Sequence, residues 1–311
     1  MEIIAGVDEA GRGCLAGPVV AGAVILPESY TIPGLKDSKK MTPRQRDLAY
    51  DAIVEQAVDW SVGFVDNRII DRINILQATF KAMQIALGNL RIKPDLALID
   101  GHELPNQIIP NRGIVDGDNQ IPCIQAASVM AKVSRDRWME KLDVILPEYG
   151  LKRHKGYGTQ QHMEALSRYK ASPLHRKSFR PVKENMPTLS WLIMEKRIGW
   201  MGERLAALFL LRNGYEILEM NHQSAPFGEL DIICRKDQTL VFVEVKSARK
   251  MSRDLLLSKI DERKLERLYQ SVDSYLSENS WKGDIRLDAI FVYLKKGGPE
   301  IIHYEAIGGA E

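Results

Sequence analysis

A chain of 311 residues with 45% hydrophobic and 27% charged side chains has ordinary globular composition and room for two domains, each with its own core. Its formal net charge of +2 excludes a globally basic nucleic-acid binder, so any claim of that kind has to rest on local clusters. Cys14, Cys123 and Cys234 lie far apart without Cys-x-x-Cys or Cys/His spacing, which speaks against a zinc site or a disulfide framework, and no apolar stretch approaches a membrane span. The expectation is an untargeted, cytoplasmic protein with no membrane partner.

The short apolar run Ile3-Ile4-Ala5-Gly6 predicts a strand that ends in Asp8-Glu9 and passes at once into Gly11-Arg12-Gly13. Neighbouring ionised carboxylates repel, and a divalent cation removes the conflict by taking both as ligands. Adjacent side chains of a strand point to opposite faces, so the two acids can serve one ion only where the strand ends, or from two sides. Gly11 and Gly13 have no Cβ and let their amides come close to a ligand, while Arg12 offers a planar donor fork. On this pair alone, a strand followed by a solvated turn is an equally good reading.

Residues 18–26 form an apolar run of strand length, predicting a hairpin with the opening strand. Lys39 and its neighbours precede Thr42-Pro43, a helix start with threonine as cap and proline at the first position; these lysines either meet phosphate or are merely solvated. Residues 58–66 read as a strand, and Asn74 as the cap of an amphipathic helix running to Leu90. Leu96-Ala97-Leu98-Ile99 has the continuous apolar character of a buried central strand and terminates in Asp100-Gly101. Ile114-Val115-Asp116-Gly117-Asp118 repeats the device. A strand-end aspartate usually begins a turn, but open α/β sheets gather functional groups at strand ends, so Asp8, Glu9, Asp100 and Asp118 are expected to converge on one crevice.

Pro122 opens a long helix to Leu146 whose small residues Ala126-Ala127-Ser128 suit close packing on a sheet, with Lys132 and Arg135 facing phosphate or solvent. Beyond it, residues 152–159 make a basic, flexible loop with Tyr157 between glycines, a pattern that can stack on a sugar or base while lysines hold phosphates.

In this order and spacing the stretches VDEAGRG (7–13), DSKK (37–40), LIDG (98–101), GD (117–118), AASVMAKVSRD (126–136), HKGYGT (154–159) and His175-Arg176-Lys177-Ser178-Phe179 resemble bacterial ribonuclease HII over about residues 1–185. The resemblance implies a ribonuclease H-like mixed α/β sheet with helices and two Mg²⁺ or Mn²⁺ ions. It implies hydrolysis of RNA in RNA–DNA hybrids and 5′ to single ribonucleotides in duplex DNA, leaving 5′-phosphate ends. Carried over by motif, Asp8, Glu9, Asp100 and Asp118 would be the metal-binding and catalytic acids. Gly11, Arg12 and Gly13 would read the ribose 2′-hydroxyl, Tyr157 would stack on the following sugar, and Lys39 and Lys132 would join the substrate-binding set. Cys14, His102 and Gln125 depart from the family pattern without touching a carboxylate. A monomer is expected.

Residues 186–197 read as a linker or boundary helix, and 198–311 as a second, smaller domain. It opens with an amphipathic helix to Asn213, ended by Gly214, and continues with strands at 215–218, 228–233 and 240–246. Glu244 and Lys246 share one face of the last of these, and their burial on an otherwise apolar strand is costly unless they serve an ion or each other. With Asp231 next door this is the Asp…Glu-x-Lys pattern of restriction-endonuclease-like nucleases, weak by itself. Gly202-Glu203, Gly228-Glu229-Leu230-Asp231, VFVEVKS and Arg286-Leu287-Asp288 resemble the YraN-like family over about residues 198–308. That resemblance implies a restriction-endonuclease-like α/β fold, a candidate site of Glu203, Asp231, Glu244 and Lys246, and branched DNA as a substrate class. In a departure from the family pattern, Ser247-Ala248 intervene before Arg249. Nuclease and DNA-binding roles both stay open for this half. A helix over 258–276 and strands at 284–293 and 301–304 complete it.

Two other readings compete for the whole chain. One is a nucleic-acid binding adaptor whose second half is the active DNA endonuclease. The other is a phosphatase or exonuclease on the same fold, which would have no need of the Gly-Arg-Gly and HKGYGT segments.

Overall fold

The computed structural model describes residues 2–194, 197–248, 261–295 and 298–307. The chain divides into two compact units, one of Met1–Glu140 with Tyr149–Met186, the other of Lys141–Glu148 with Pro187–Glu311.

In the first unit, β1 (Ile4–Ala10) and β2 (Val19–Ile25) form the expected hairpin, and α1 (Pro43–Gln56) begins at Thr42, whose hydroxyl and Gln45 form a reciprocal cap. Then come β3 (Asp59–Val65), α2 (Asn67–Ile73), α3 (Ile75–Gly88), β4 (Leu96–Asp100) and β5 (Asn111–Ile114). Asn74 caps α3 as the sequence predicts, its side chain accepting the Gln77 amide. The sheet order is β3-β2-β1-β4-β5, antiparallel across the first three strands and parallel across β1, β4 and β5. The short strand expected at Ile114-Val115, ahead of Asp116-Gly117-Asp118, lies earlier, because Asp116 is left-handed (φ 53°) and Gly117–Asn119 is a 3₁₀ turn. After α4 (Pro122–Ile145) come α5 (Leu151–His154), α6 (Gln160–Tyr169) and α7 (Arg180–Lys183).

Two apolar layers sandwich the sheet. Ala21, Ala23 and Val65 pack with Ala78, Ala82 and Met83 of α3 on one side; Val24 packs with Ala126, Ala127 and Met130 of α4 on the other. The α4 side requires close backbone approach. A Cβ on Gly6 would lie 2.1 Å from the Cys123 carbonyl carbon, and one on Gly22 2.4 Å from the Ala127 oxygen. This explains both the glycines in otherwise apolar strands and the small residues of α4.

The second unit contains α8 (Leu189–Met194) and α9 (Ile198–Arg212), followed by a sheet of order β10-β9-β8-β7-β6. Its strands are β6 (Glu216–Ser224), β7 (Gly228–Lys236), β8 (Thr239–Ala248), β9 (Asp284–Lys295) and β10 (Gly298–Tyr304); β8 and β9 are parallel and the other neighbours antiparallel. Between β8 and β9 runs α10 (Glu262–Glu278), which lays Leu268, Val272 and Tyr275 over Ile233, Leu240 and Phe242. Ser247 looks the other way, toward α9, where a Cβ on Gly202 would come 1.7 Å from its Oγ. The predicted start of the helix at Ser258 lies outside the described residues, as does Arg249.

The glycine floor makes a direct prediction. Gly6→Ala should destabilise the first unit by about 3 kcal/mol, since backbone rather than a flexible side chain has to yield. A urea midpoint equal to that of the parent protein would contradict the packing of α4 on β1.

Candidate metal centre and nucleic-acid face

Register builds the centre. Val7 of β1 pairs with Ile99 of the parallel β4 in the last register pair of these two strands, so the next residues, Asp8 and Asp100, lie side by side; β1 itself continues past the expected end, to Ala10. The 3₁₀ turn after β5 brings in Asp118, whose amide donates to Asp100 Oδ1 at 3.2 Å. Carboxylate oxygens of Asp8, Asp100 and Asp118 all lie within 4.8 Å of one another. Asp8 and Asp118 are buried, at 2% and 4% exposure. Glu9 is outside that trio; its Oε1 accepts from Arg12 Nη1 at 3.2 Å, so the arginine expected to offer its fork outward is paired with an acid. Lys39 Nζ is 3.2 Å from Asp118 Oδ2.

The electrostatics follow from this crowding. Burial, reinforced by the charges of Glu9 and Asp100, holds the Asp8 carboxyl well above its usual range. Burial raises Glu9 against the pull of Arg12, and raises Asp100 despite the amide of Asp118. Burial draws Lys39 down, but its bond to Asp118 and the charge of Asp8 leave it above its ordinary value. Asp8 Oδ1 accepts the Glu9 amide at 2.6 Å, whereas Asp8 Oδ2 is buried with no hydrogen-bond partner. An orphaned carboxylate oxygen among further acidic oxygens is a donor set that fits a hard divalent cation and suits neither zinc nor copper.

The Gly-Arg-Gly segment borders this centre. Gly11 has φ +94°, and a Cβ there would meet Arg135 Nε at 2.0 Å. Arg135 corrects the sequence reading: it faces neither phosphate nor solvent but is fully buried, donating to the carbonyls of Pro18 (2.9 Å), Lys155 (2.9 Å) and Ala16 (3.3 Å). Arg176, also fully buried, donates to Gly11 and Arg12 (both 2.7 Å) and to Gly17 and Pro18 (both 3.1 Å). Burial lowers its guanidinium to about 10. Around Gly13 there is open space within 4 Å of a notional Cβ.

Tyr157 is 41% exposed, with Lys132 Nζ 5.6 Å from its ring centre. Lys132 itself pairs with Asp136 at 2.9 Å. Both line a groove of about 850 Å³ together with Arg46, Arg137, Lys152 and Lys155. The segment expected to be a flexible loop begins as the helical turn of α5, and the Gly156 carbonyl accepts the Leu15 amide at 2.8 Å. The sequence reading gave no role to Arg176, His154 and His175, although its motifs contain all three, and it did not single out His162 or the buried Ser38–Ser128 hydroxyl pair (2.8 Å). For Arg135 a signal existed: it falls on the same helical stripe as Ala127 and Ala131.

In the second unit, Glu244 is buried at 1% exposure and bonded by Lys246 Nζ, with Lys264 Nζ of α10 at 2.9 Å from the same oxygen. Glu244 Oε2 has no partner. Asp231 Oδ2 accepts the Val245 amide at 2.6 Å, and burial together with the Glu244 charge pushes its carboxyl up to about 7. The charge of Glu203 adds to the rise at Asp231, and Glu203 takes bonds from Asn221 (3.0 Å) and Arg204 (3.3 Å). Among the described residues, the acids of this unit do not form a trio as close as the first.

Residues 5–182 match the family model "Ribonuclease HII", and residues 202–292 match "Uncharacterised protein family UPF0102". The chain is 51% identical over 183 residues to a ribonuclease HII of Desulfitobacterium hafniense, covering 59% of this chain and 70% of that protein. It is 50% identical over 182 residues to one from a Polaromonas species, covering 58% and 92%. The crystal structure of ribonuclease H2 from Pyrococcus horikoshii is similar with a TM-score of 0.50 and 29% identity, over 58% of this chain and 95% of that one. Fold and relatives together define a ribonuclease H-type nuclease. More narrowly, the chain belongs to the ribonuclease HII family of metal-dependent endoribonucleases, and it carries a UPF0102 (YraN-like) domain behind the ribonuclease domain. Among the described residues, no helix is long and apolar enough to cross a membrane.

The raised carboxyls give the sign of a stability effect. A carboxyl whose folded value exceeds its unfolded one contributes stability at low pH and loses it as pH rises. In metal-free protein at pH 8, Asp8→Asn should therefore raise the melting temperature, by about 2–4 °C, with the gain fading as pH falls toward the ordinary carboxylate range. Added Mg²⁺ should raise the melting temperature of the parent more than that of the variant. Equal responses in thermal melts would deny that the cluster takes up the cation.

Proposed function

We propose that the first unit cleaves RNA–DNA hybrids and duplex DNA carrying single ribonucleotides, cutting 5′ to the ribonucleotide. The cluster of buried Asp8 and Asp118 with half-buried Asp100, and its orphaned oxygen, is the observation that carries this reading. Asp8, Glu9, Asp100 and Asp118 would hold two Mg²⁺ or Mn²⁺ ions, which when bound supply an activated water and stabilise the leaving 3′ oxygen of an in-line displacement.

The protein's own groups account for selectivity. With the carbonyls of Gly11 and Arg12 drawn inward by Arg176, an open approach at Gly13 suits a sensor for the 2′-hydroxyl, the group that marks a lone ribonucleotide in DNA. The exposed ring of Tyr157 suits stacking on the next sugar, with Lys39 and Lys132 on the substrate side. Residues 1–185 and 198–311 would act as separate domains joined through 186–197.

For the second domain, the Asp231, Glu244 and Lys246 grouping supports a nuclease-like role on branched DNA, with Glu203 alongside. The ammonium groups on Glu244 support DNA binding instead. The adaptor reading of the whole chain is opposed by the intact acid cluster of the first unit.

One assay separates these readings: full-length protein, Asp8→Asn and Lys246→Ala on a duplex with one embedded ribonucleotide and on a four-way junction, with and without Mg²⁺. Asp8→Asn should lower nicking at the ribonucleotide by at least about 10³-fold, as expected for loss of a metal-binding group at the reacting centre. Lys246→Ala should leave that activity intact and abolish any junction cleavage. Nicking by Asp8→Asn at the parent rate would refute the assignment. A junction bound but never cut would leave the second domain as a binding module.

A further inference from the structure

Behind Tyr157 lie three histidines that the reaction does not use. His162 and His175 have no exposed surface and His154 has 8%. His162 Nε2 is 3.0 Å from His175 Nε2, His162 Nδ1 is 2.9 Å from the Tyr157 carbonyl oxygen, and His175 Nδ1 is 3.0 Å from the Ser172 amide nitrogen. His154 stacks on His162 with ring centres 4.4 Å apart.

The protons of this chain can be assigned from its ends. The Ser172 amide can only donate, so His175 Nδ1 is bare and its proton sits on Nε2. That Nε2–H donates to His162 Nε2, which leaves the His162 proton on Nδ1. At the far end the Tyr157 carbonyl can only accept, and it meets that proton. Both ends demand the same arrangement, so the chain runs one way, from Ser172 through His175 and His162 to Tyr157. The stacked His154 is fixed likewise: Nδ1 accepts the Gly156 amide at 3.2 Å and Nε2 donates to the Tyr149 carbonyl at 2.7 Å. Burial keeps the chain neutral, with His162 pushed down to about 4 and His175 to about 3.

We propose that His162, oriented by His175, is a positioning residue that sets the Tyr157 backbone from behind and thereby aims its exposed ring at the sugar of the bound strand. This rests on the reading of Tyr157 as a stacking residue and adds what holds it in place. The Tyr157 amide is bonded to the His154 carbonyl (2.9 Å), and its carbonyl is shared by His162 and the Thr159 amide (2.8 Å). Two of these three main-chain bonds of Tyr157 run to His154 and His162, while its partly exposed ring lies beside Lys132 and Arg135.

The substitutions that test this use the reach of amide side chains. Asparagine at 162 places a donor near the Nδ1 position, toward Tyr157; glutamine reaches the Nε2 position, toward His175; leucine supplies neither. On a duplex with one ribonucleotide, His162→Leu should raise KM about 10-fold with kcat changed by no more than about twofold, the pattern of lost uniform binding. His162→Asn should recover most of the loss and His162→Gln little of it. Tyr157→Ala should raise KM, and His162→Leu in that background should add nothing further. An unchanged KM in His162→Leu, recovery by glutamine rather than asparagine, or fully additive losses would overturn the proposal. Should the leucine variant fail to fold by thermal melting, the asparagine and glutamine pair decides by itself. If Tyr157→Ala alone leaves KM unchanged, the stacking role fails, and a raised KM in His162→Leu beside it would overturn the positioning role as well.

Discussion

The constraint that shapes the first unit is the mutual repulsion of buried carboxylates. Asp8, Asp100 and Asp118 come within 4.8 Å of one another in a region closed to solvent at Asp8 and Asp118, and one oxygen is left without any partner. A protein without a cation to bind gains nothing from such an arrangement, because each acid raises the cost of ionising the others. The fold spends its most regular parts on enforcing it. Parallel pairing of β1 with β4 fixes two of the acids, and the turn after β5 fixes the third through a main-chain bond to Asp100. The glycine floor under α4 then brings Ser128 close behind, paired to Ser38 of the segment that delivers Lys39.

The Gly-Arg-Gly and Tyr157 segments are held by cations turned inward. Arg135 and Arg176 direct their guanidinium groups at main-chain carbonyls of residues 11, 12, 16, 17, 18 and 155. A guanidinium has five donors in a rigid fork, and turning carbonyls toward it fixes the course of the loop that carries them. Arg135 reaches both the segment after Gly-Arg-Gly and the one bearing Tyr157, so the two segments share one rigid support. Loops that read a nucleic acid by close backbone contact need such rigidity, since a displacement of an ångström removes the contact.

The sequence was most legible where one residue type has one physical use. An aspartate closing an apolar run beside another acid or a glycine marked Asp8, Asp100 and Asp118, and the reason is local. Lys39 and Tyr157 were legible as members of basic or glycine-flanked segments. Arg135 was misread because an arginine on a helix is usually solvated, and only its place on the stripe of Ala127 and Ala131 signals burial. Arg176 and the histidines carry no local signal at all. Their partners lie more than a hundred residues away for Arg176, and the neutral state of His162 and His175 comes from an enclosure that only tertiary packing creates. The strand before Asp118 was displaced for a simpler reason: a left-handed Asp116 is invisible in a pattern of apolar residues.

The same residue types lead to different electrostatics in the two units. Around the first centre, Asp8, Glu9, Asp100 and Asp118 face Lys39 and Arg12, which leaves an excess of negative charge for a divalent ion to neutralise. In the second, Glu203, Asp231 and Glu244 face Arg204, Lys246 and Lys264, and burial with the Glu244 charge pushes the Asp231 carboxyl up to about 7. Both ammonium groups sit on Glu244 Oε1, and its buried Oε2 is the oxygen left without a hydrogen-bond partner. The balance of charge therefore differs: four acids face two cations in the first site, whereas three acids face three cations in the second.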